Sequence, residues 1–407
     1  MTHPTPLAAG APMSALATAP TADDAVAELC RAVFAGLPRR DQRATAESYV
    51  RALLAVPGRK SLRHIARCAG HGDDGQRLQH LISSAPWDWR PVRAALAESV
   101  AELARPVASA VRPATVVRRG RQCIGVDHYV DYRSGRSVRA QRCVGRWLVT
   151  DRGDIPVDWR LVLSPAWLED PVHRTRSAVP EGVAPADTAR TALDCVLDGE
   201  PDPLGHPVVL DARQADVPTV VAEFGARGIP YLLRVGGSEP LSVAGDTAPV
   251  PARRLGALSA AGLPPRRPGT AALTLAGRDG GRRDIVRVAC RPADGPPAGR
   301  PHVLLAERVD RAERSERSER PDRIGPAPSA TAFWLTDLTD RTTFDLLSLL
   351  RAARRGGPQP DTGLYAYTGR SFPAWHRHIT LASVAHAAAV LLPVRSTWQP
   401  RPLAAAS

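Results

Sequence analysis

PVVLDARQADVPTVVAEFGARGIPYLLRV, residues 207–235, decides the fold class. Val208, Val209 and Leu210 form a short apolar run that ends on Asp211, the pattern of a strand buried on both faces. Residues 217–227 then read as a helix, and Tyr231-Leu232-Leu233-Arg234-Val235 as a second strand. Strand, helix and strand in so short a stretch make a β-α-β unit, so an α/β fold is expected, its sheet covered by helices.

Upstream the texture is helical. Val26, Leu29, Cys30, Val33 and Phe34 make one apolar stripe, closed by Leu37-Pro38. A second helix runs through Tyr49, Leu53 and Leu54 to Pro57-Gly58, and Ser61 is placed to cap a third. Short helices, a Gly-containing turn (residues 70–75) and the basic Arg59, Lys60 and Arg63 suit a helix-turn-helix-like DNA-binding unit. An ordinary helical bundle with a solvated arginine face fits the pattern equally well. Beyond Pro113, Thr115-Val116-Val117, Cys123-Ile124-Gly125-Val126 and Trp147-Leu148-Val149 read as short strands. Residues 240–306 are rich in Pro and Gly, with strand-like islands at 271–275 and 285–288. The Glu-Arg-Ser repeat at 313–320 reads as a solvated low-complexity loop.

Composition narrows the function. At 407 residues, 43% hydrophobic and 23% charged, the chain is globular and long enough for two or three domains. The formal net charge is +13, and Lys60 is the only lysine, so nearly all positive charge sits on arginine. Such a field favours a polyanion, with double-stranded DNA the expected partner. No apolar run is long enough for a membrane span, and residues 1–25 lack the features of a signal peptide. The six cysteines are scattered without a C-x-x-C, the pattern of reduced, buried thiols in a cytoplasmic protein. P-loop, nucleophile-elbow and zincin motifs are absent from the sequence.

Six segments in order carry a resemblance: LPRRDQRATAESYVRALLAVPGRKSLRHIA (37–66), SSAPWDWRPVRAALA (83–97), IPVDWRLVLSPAWLEDP (155–171), the opening stretch, FWLTDLTDRTTFDLLSLLRAARR (333–355) and YTGRSFPAWHRHITLAS (367–383). Together they resemble the DDE-type transposases of bacterial insertion sequences, in the branch called the insertion-sequence seven-oh-one family. The resemblance spans roughly residues 30–395. It implies an RNase H-like mixed sheet flanked by helices, with an N-terminal all-helical domain and a β-rich insertion. The expected order is a flexible leader (1–24), a helical DNA-binding-like domain (25–110), the first part of the core (111–239), the insertion (240–306), a low-complexity linker (307–330), the second part of the core (331–395) and a tail (396–407). It also implies a DNA-bound, nucleoid-associated protein acting as a homodimer or larger assembly.

Such transposases cut and join DNA strands with two divalent cations, held by an Asp on the first core strand, an Asp ending a later strand and a Glu on a late helix. Asp211 matches the second acid. Where relatives carry Asp-Asp-Thr after the first strand, this chain reads Val116-Val117-Arg118-Arg119-Gly120, and where they carry the Glu it passes from Arg355 into Gly356-Gly357-Pro358. Two of the three acids are therefore expected to be missing, with no metal cofactor. The alternative is an active enzyme using Mg²⁺ on shifted acids: Asp127, which would share a strand face with Asp131, together with Asp211 and Asp345. Against it, Asp127 and Asp131 read better as surface acids balancing a very basic hairpin.

That hairpin holds the expected DNA contacts. Residues 118–146 carry eight arginines against two acids. Arg118, Arg119, Arg121, Arg133, Arg136, Arg139 and Arg142 are assigned to DNA, with Arg59, Lys60, Arg63, Arg370 and Arg377 beside them. His376 and His378 have an H-x-H spacing, but residues two apart do not share a helix face, so packing is the expected role. Trp87 and Trp89 are expected to anchor the helical region on the core.

Overall fold

A computed structural model describes residues 21–58, 60–69, 74–120, 122–131, 135–199, 205–244, 246–257, 270–276, 282–293, 300–309, 330–355 and 360–392. The leader to residue 20, the Glu-Arg-Ser repeat and the tail lie outside them.

Five helices come first: α1 (Ala22–Val33), α2 (Arg40–Ala55), α3 (Leu62–Ala69), α4 (Asp74–Ser83) and α5 (Trp89–Ala104). Their starts follow local chemistry. Thr21 and Asp24 form a reciprocal capping box on α1, Ser61 accepts from the His64 amide, and Asp88 caps α5. Next come β1 (Ala108–Val117), β2 (Val126–Asp131), β3 (Arg136–Val149) and β4 (Asp154–Leu161). Helices α6 (Pro165–Leu168), α7 (Pro171–Arg176) and α8 (Thr188–Leu197) lead to β5 (Val208–Asp211), α9 (Val217–Arg227) and β6 (Tyr231–Val235), the β-α-β unit of the opening stretch. Then follow β7 (Pro240–Ser242), β8 (Val250–Pro251), α10 (Ala252–Ala257), β9 (Thr270–Ala276), β10 (Arg282–Pro292), β11 (His302–Val309), β12 (Ala330–Thr336), α11 (Thr343–Arg355) and α12 (Phe372–Leu391).

The strands form one twelve-stranded mixed sheet. Its heart runs β4-β3-β1-β5-β6, in which β3 is antiparallel to both β4 and β1, and β1, β5 and β6 are parallel. This is an RNase H-like core. The long β3 does double duty: its first half pairs β2, its second half pairs β4, and β1 lies along the whole of its other edge. Strands β1, β2 and β3 therefore project beyond β5 as a three-stranded arm. The region expected as an insertion does not form a sheet of its own; β9, β10 and β11 continue the core sheet through β12 onto β6.

Strand β1 begins seven residues before the Thr115 expected from the sequence, because it passes straight through Pro113. Proline lacks an N–H and is tolerated in a strand where one side needs no ladder bond. Strand β5 pairs only Ser109 and Ala110, so at Pro113 that side of β1 is already unpaired.

One face of the sheet packs α8, α9 and α10. The other shares a single apolar cluster with α1–α5, α11 and α12, so the helical region has no separate core. Helix α12 is its axis, with sixteen of twenty residues buried. A helix apolar all round belongs in an interior, and its Ala, Ser and Thr positions admit close neighbours. Trp87 donates to the Leu81 carbonyl, and Trp89 stacks on His376 at 4.5 Å between centroids, so both anchor the helical region on the core.

Three buried histidines on α12 are held neutral. His378 accepts from the Tyr49 hydroxyl through Nδ1 and donates from Nε2 to the Gly363 carbonyl. Burial pulls its pKa down to about 4, and does the same for His386, whose Nε2 donates to the Asp154 carbonyl. Burial, then the Arg93 charge, lowers His376 too. In the unfolded chain these groups take protons from about pH 6.5 downward, while the fold resists until about pH 4, so stability must fall as pH drops through that window. A slope of about 1.4 kcal/mol per pH unit for each histidine is expected between pH 6.5 and 5, above the main carboxylate range. Thermal melts across that interval check it; a flat profile would contradict the assignment.

Candidate functional site

The site is built around the end of β5. Val208 and Leu210 face the α8–α9 side, whereas Val209 and Asp211 face the α11–α12 side. Strand pairing puts Arg234 of β6 directly opposite Asp211, with Nη1 3.6 Å from Oδ2. On the other side, Ser109 and Ala110 pair Val208 and Val209, so two residues further on the neighbour of Asp211 is Arg112. It lies on the same face as Ala110 and Asp211.

Both carboxylate oxygens of Asp211 are occupied by Arg213, whose Nε donates to Oδ1 at 2.8 Å and Nη2 to Oδ2 at 2.7 Å. Burial pushes the Asp211 carboxyl up, but the hydrogen bonds from Arg213 and the charges of Arg213 and Arg234 outweigh it and lower its pKa. Arg112 is tied elsewhere. Its Nη2 donates to Asp154 Oδ2 (2.5 Å) and to the Ala353 carbonyl of α11 (2.6 Å), and its guanidinium lies 5.5 Å from the centre of the Trp147 ring. Further along the same face the buried Glu307 of β11 pairs Arg354 of α11, which lies over Trp334. The last turn of α11, above the sheet face, carries Arg351 and Arg354 and no carboxylate.

The acids named from the sequence do not converge. Asp345 sits at the start of α11, where it accepts from the Thr342 amide and hydroxyl as a capping residue. It is eight residues, about 12 Å of helix axis, before Ala353, the residue that reaches Arg112. Asp127 pairs Ala140 on β3, which in turn pairs Val117 on β1. That register lies five residues, about 17 Å, along β1 from Arg112 and two strands across. Arg118 and Arg119, expected in place of the first acid, are about 20 Å along the strand from Arg112, the residue in register with Asp211. Arg112, Arg213, Arg234, Asp154 and Glu307 were missed by sequence reasoning. The Asp-Ala-Arg spacing at 211–213 and the single Arg within Tyr-Leu-Leu-Arg-Val were the available signals.

The basic residues divide sharply. On the arm, Arg119 and Arg136 are exposed and Arg139 is half-buried. Arg142 lies over the Tyr129 ring at 3.6 Å, and Arg118 donates to Gln141 Oε1. Arg370 is exposed and paired with Gln122. Two assignments need correction. Lys60 is only 5% exposed and packs against Gly363. Arg377 turns inward, donating to the carbonyls of Ile82 and Trp87. Arg59, Arg121 and Arg133 lie outside the described residues, as does the side chain of Arg63.

Among the described residues no three His, Cys, Asp or Glu side chains are grouped to hold a metal ion. His376 and His378 are each engaged with separate partners, Arg93 and the Tyr49–Gly363 pair. No described helix is long and apolar enough to cross a membrane.

Residues 32–291, which include β1, β5 and the whole of the Asp211 setting up to β10, match a family profile described as DDE superfamily endonuclease. The chain belongs to this family. No protein of curated function matches it. The family acts on DNA, and its members usually use Mg²⁺.

Asp154 is 2% exposed, so its charge depends on Arg112. Arg112→Met is expected to cost about 3–5 kcal/mol by stranding that carboxylate, and a second change, Asp154→Leu, to restore most of it. Urea unfolding of the single and double variants reads this directly.

Proposed function

We propose that the chain is a DNA-binding protein derived from a DDE transposase of the insertion-sequence seven-oh-one type, whose metal centre no longer assembles. The observation that carries this reading is the pairing of β1 with β5, which gives Asp211 an arginine neighbour, Arg112, where a converging acid would be required. Magnesium takes hard oxygen ligands, and a two-metal site needs several carboxylates fixed around it. Here one carboxylate is chelated by Arg213 and flanked by Arg234. Such a donor set does not suit two cations. An active enzyme using Asp127, Asp211 and Asp345 is disfavoured by their separation.

What the fold retains is a surface for phosphate. The arm made by β1, β2 and β3 presents Arg119, Arg136 and Arg139 outward, with Arg370 at its base. Guanidinium forks suit bidentate phosphate contacts. Binding to double-stranded DNA, as a homodimer on the nucleoid, would suit a regulator or an architectural factor, or an inhibitor of an active relative.

The test is the salt dependence of duplex binding. Replacing Arg136 and Arg139 together by Ala should reduce the slope of log affinity against log salt by about two, since each neutralised phosphate contributes roughly 0.9. An unchanged slope and affinity would sink the arm as the DNA contact. Sequencing the genomic fragments retained by the protein separates the roles: paired inverted repeats beside its own gene mark a transposon-end binder, scattered promoters a regulator.

A further inference from the structure

A cleft of about 710 Å³ lies where α2, α3 and α4 meet the 360–369 segment and the end of β1. Its volume is that of a small-molecule site. Along β1 the side chains alternate, with Arg112, Ala114 and Val116 half-buried and Pro113, Thr115 and Val117 exposed. The half-buried series leads from the Asp211 neighbourhood to Arg118, whose guanidinium enters the cleft wall.

Three features of the lining point to one ligand chemistry. Arg118 and Lys60 bring positive charge into the cleft, and Arg118 Nε is buried without a hydrogen-bond partner. Tyr365 and Tyr367 bring aromatic rings, and Tyr365 lies within electrostatic reach of Arg112 as well. Thr362, only 2% exposed, lines the cleft with a hydroxyl that has no partner. An unpaired buried hydroxyl is costly unless a ligand or water satisfies it. Gly363 keeps the lysine in place: its φ of +75° is in the left-handed region, and a Cβ there would come within 2.8 Å of Lys60 Cγ.

We propose that this cleft binds one nucleotide unit, its phosphate on Arg118 and its base against Tyr365 and Tyr367. The unit comes either from an unpaired DNA strand or from a free mononucleotide. A base stacks on an aromatic face without regard to sequence, and a phosphate needs the fixed donors that Arg118 supplies. The cleft joins the helical region to the former catalytic face, so an unpaired nucleotide held here would leave its strand running along β1 toward Asp211. The strand-bound case rests on the DNA-binding reading above; the mononucleotide case does not.

Three probes decide it, each titrated into the full chain: a blunt duplex, the same duplex with a short 5′-phosphorylated overhang, and deoxyadenosine monophosphate. The overhang is expected to bind about ten-fold more tightly than the blunt end. Tyr365→Leu should abolish that preference while leaving blunt-duplex binding in place, and Arg118→Met should abolish it as well. Thr362→Val, an isosteric change that removes only the unpartnered hydroxyl, should weaken it several-fold and serves as the variant least able to disturb folding. Saturable binding of the mononucleotide, lost in the same variants, would assign the cleft to a free nucleotide. The inference fails if the wild type neither prefers the overhang nor binds the mononucleotide, or if these variants leave both intact. Retained blunt-duplex binding in that case would leave the DNA-binding reading standing, whereas loss of all duplex binding would remove that reading alone.

Discussion

The guanidinium of Arg93 is the joint on which the architecture turns. It is buried on α5 and donates to Asp158 and the Trp159 carbonyl of β4, and to Thr380 and His376 of α12. A buried cation is tolerated only when its donors are met, and here the partners come from two elements, β4 and α12. The helical region therefore cannot swing away from the sheet without stranding a charge. One consequence is a single apolar core in place of two. Another is that the cleft beside Lys60 and the face beside Asp211 keep a fixed relation to one another.

That rigidity gives meaning to the strand register. Because β1 and β5 pair at Ser109 and Ala110, the neighbour of Asp211 is determined by counting, and it is an arginine. The surrounding face is a network of ion pairs: Asp211 with Arg213 and Arg234, Asp154 with Arg112, Glu307 with Arg354. Carboxylates that would otherwise be available to cations are each met by guanidinium.

Much of this was legible in the residues. The β-α-β unit, the apolar stripe of α1, the cap at Ser61 and the anchoring role of Trp87 and Trp89 all depend on local patterns that sequence carries directly. Pro113 misled the reading, since proline usually bounds a strand, and its tolerance here depends on where β5 stops. With β1 running through Pro113, the residue in register with Asp211 is Arg112, six residues before Arg118. Lys60 and Arg377 were misjudged for a related reason. A basic side chain reads as solvent-facing until the carbonyls or the glycine that receive it are known, and those lie 290 or more residues away in sequence. The separation of Asp127 and Asp345 from Asp211 is likewise a property of sheet order, which no local pattern encodes.

The most direct test of the account is a nicking assay on supercoiled plasmid carrying the gene's own flanks, run in Mg²⁺, in Mn²⁺ and in EDTA, with wild-type protein and Asp211→Ala. The guanidinium-occupied site predicts no nicking by either protein in any of the three conditions. Metal-dependent nicking by the wild type that disappears in Asp211→Ala would mean that the carboxylate still recruits a cation, and would contradict the account.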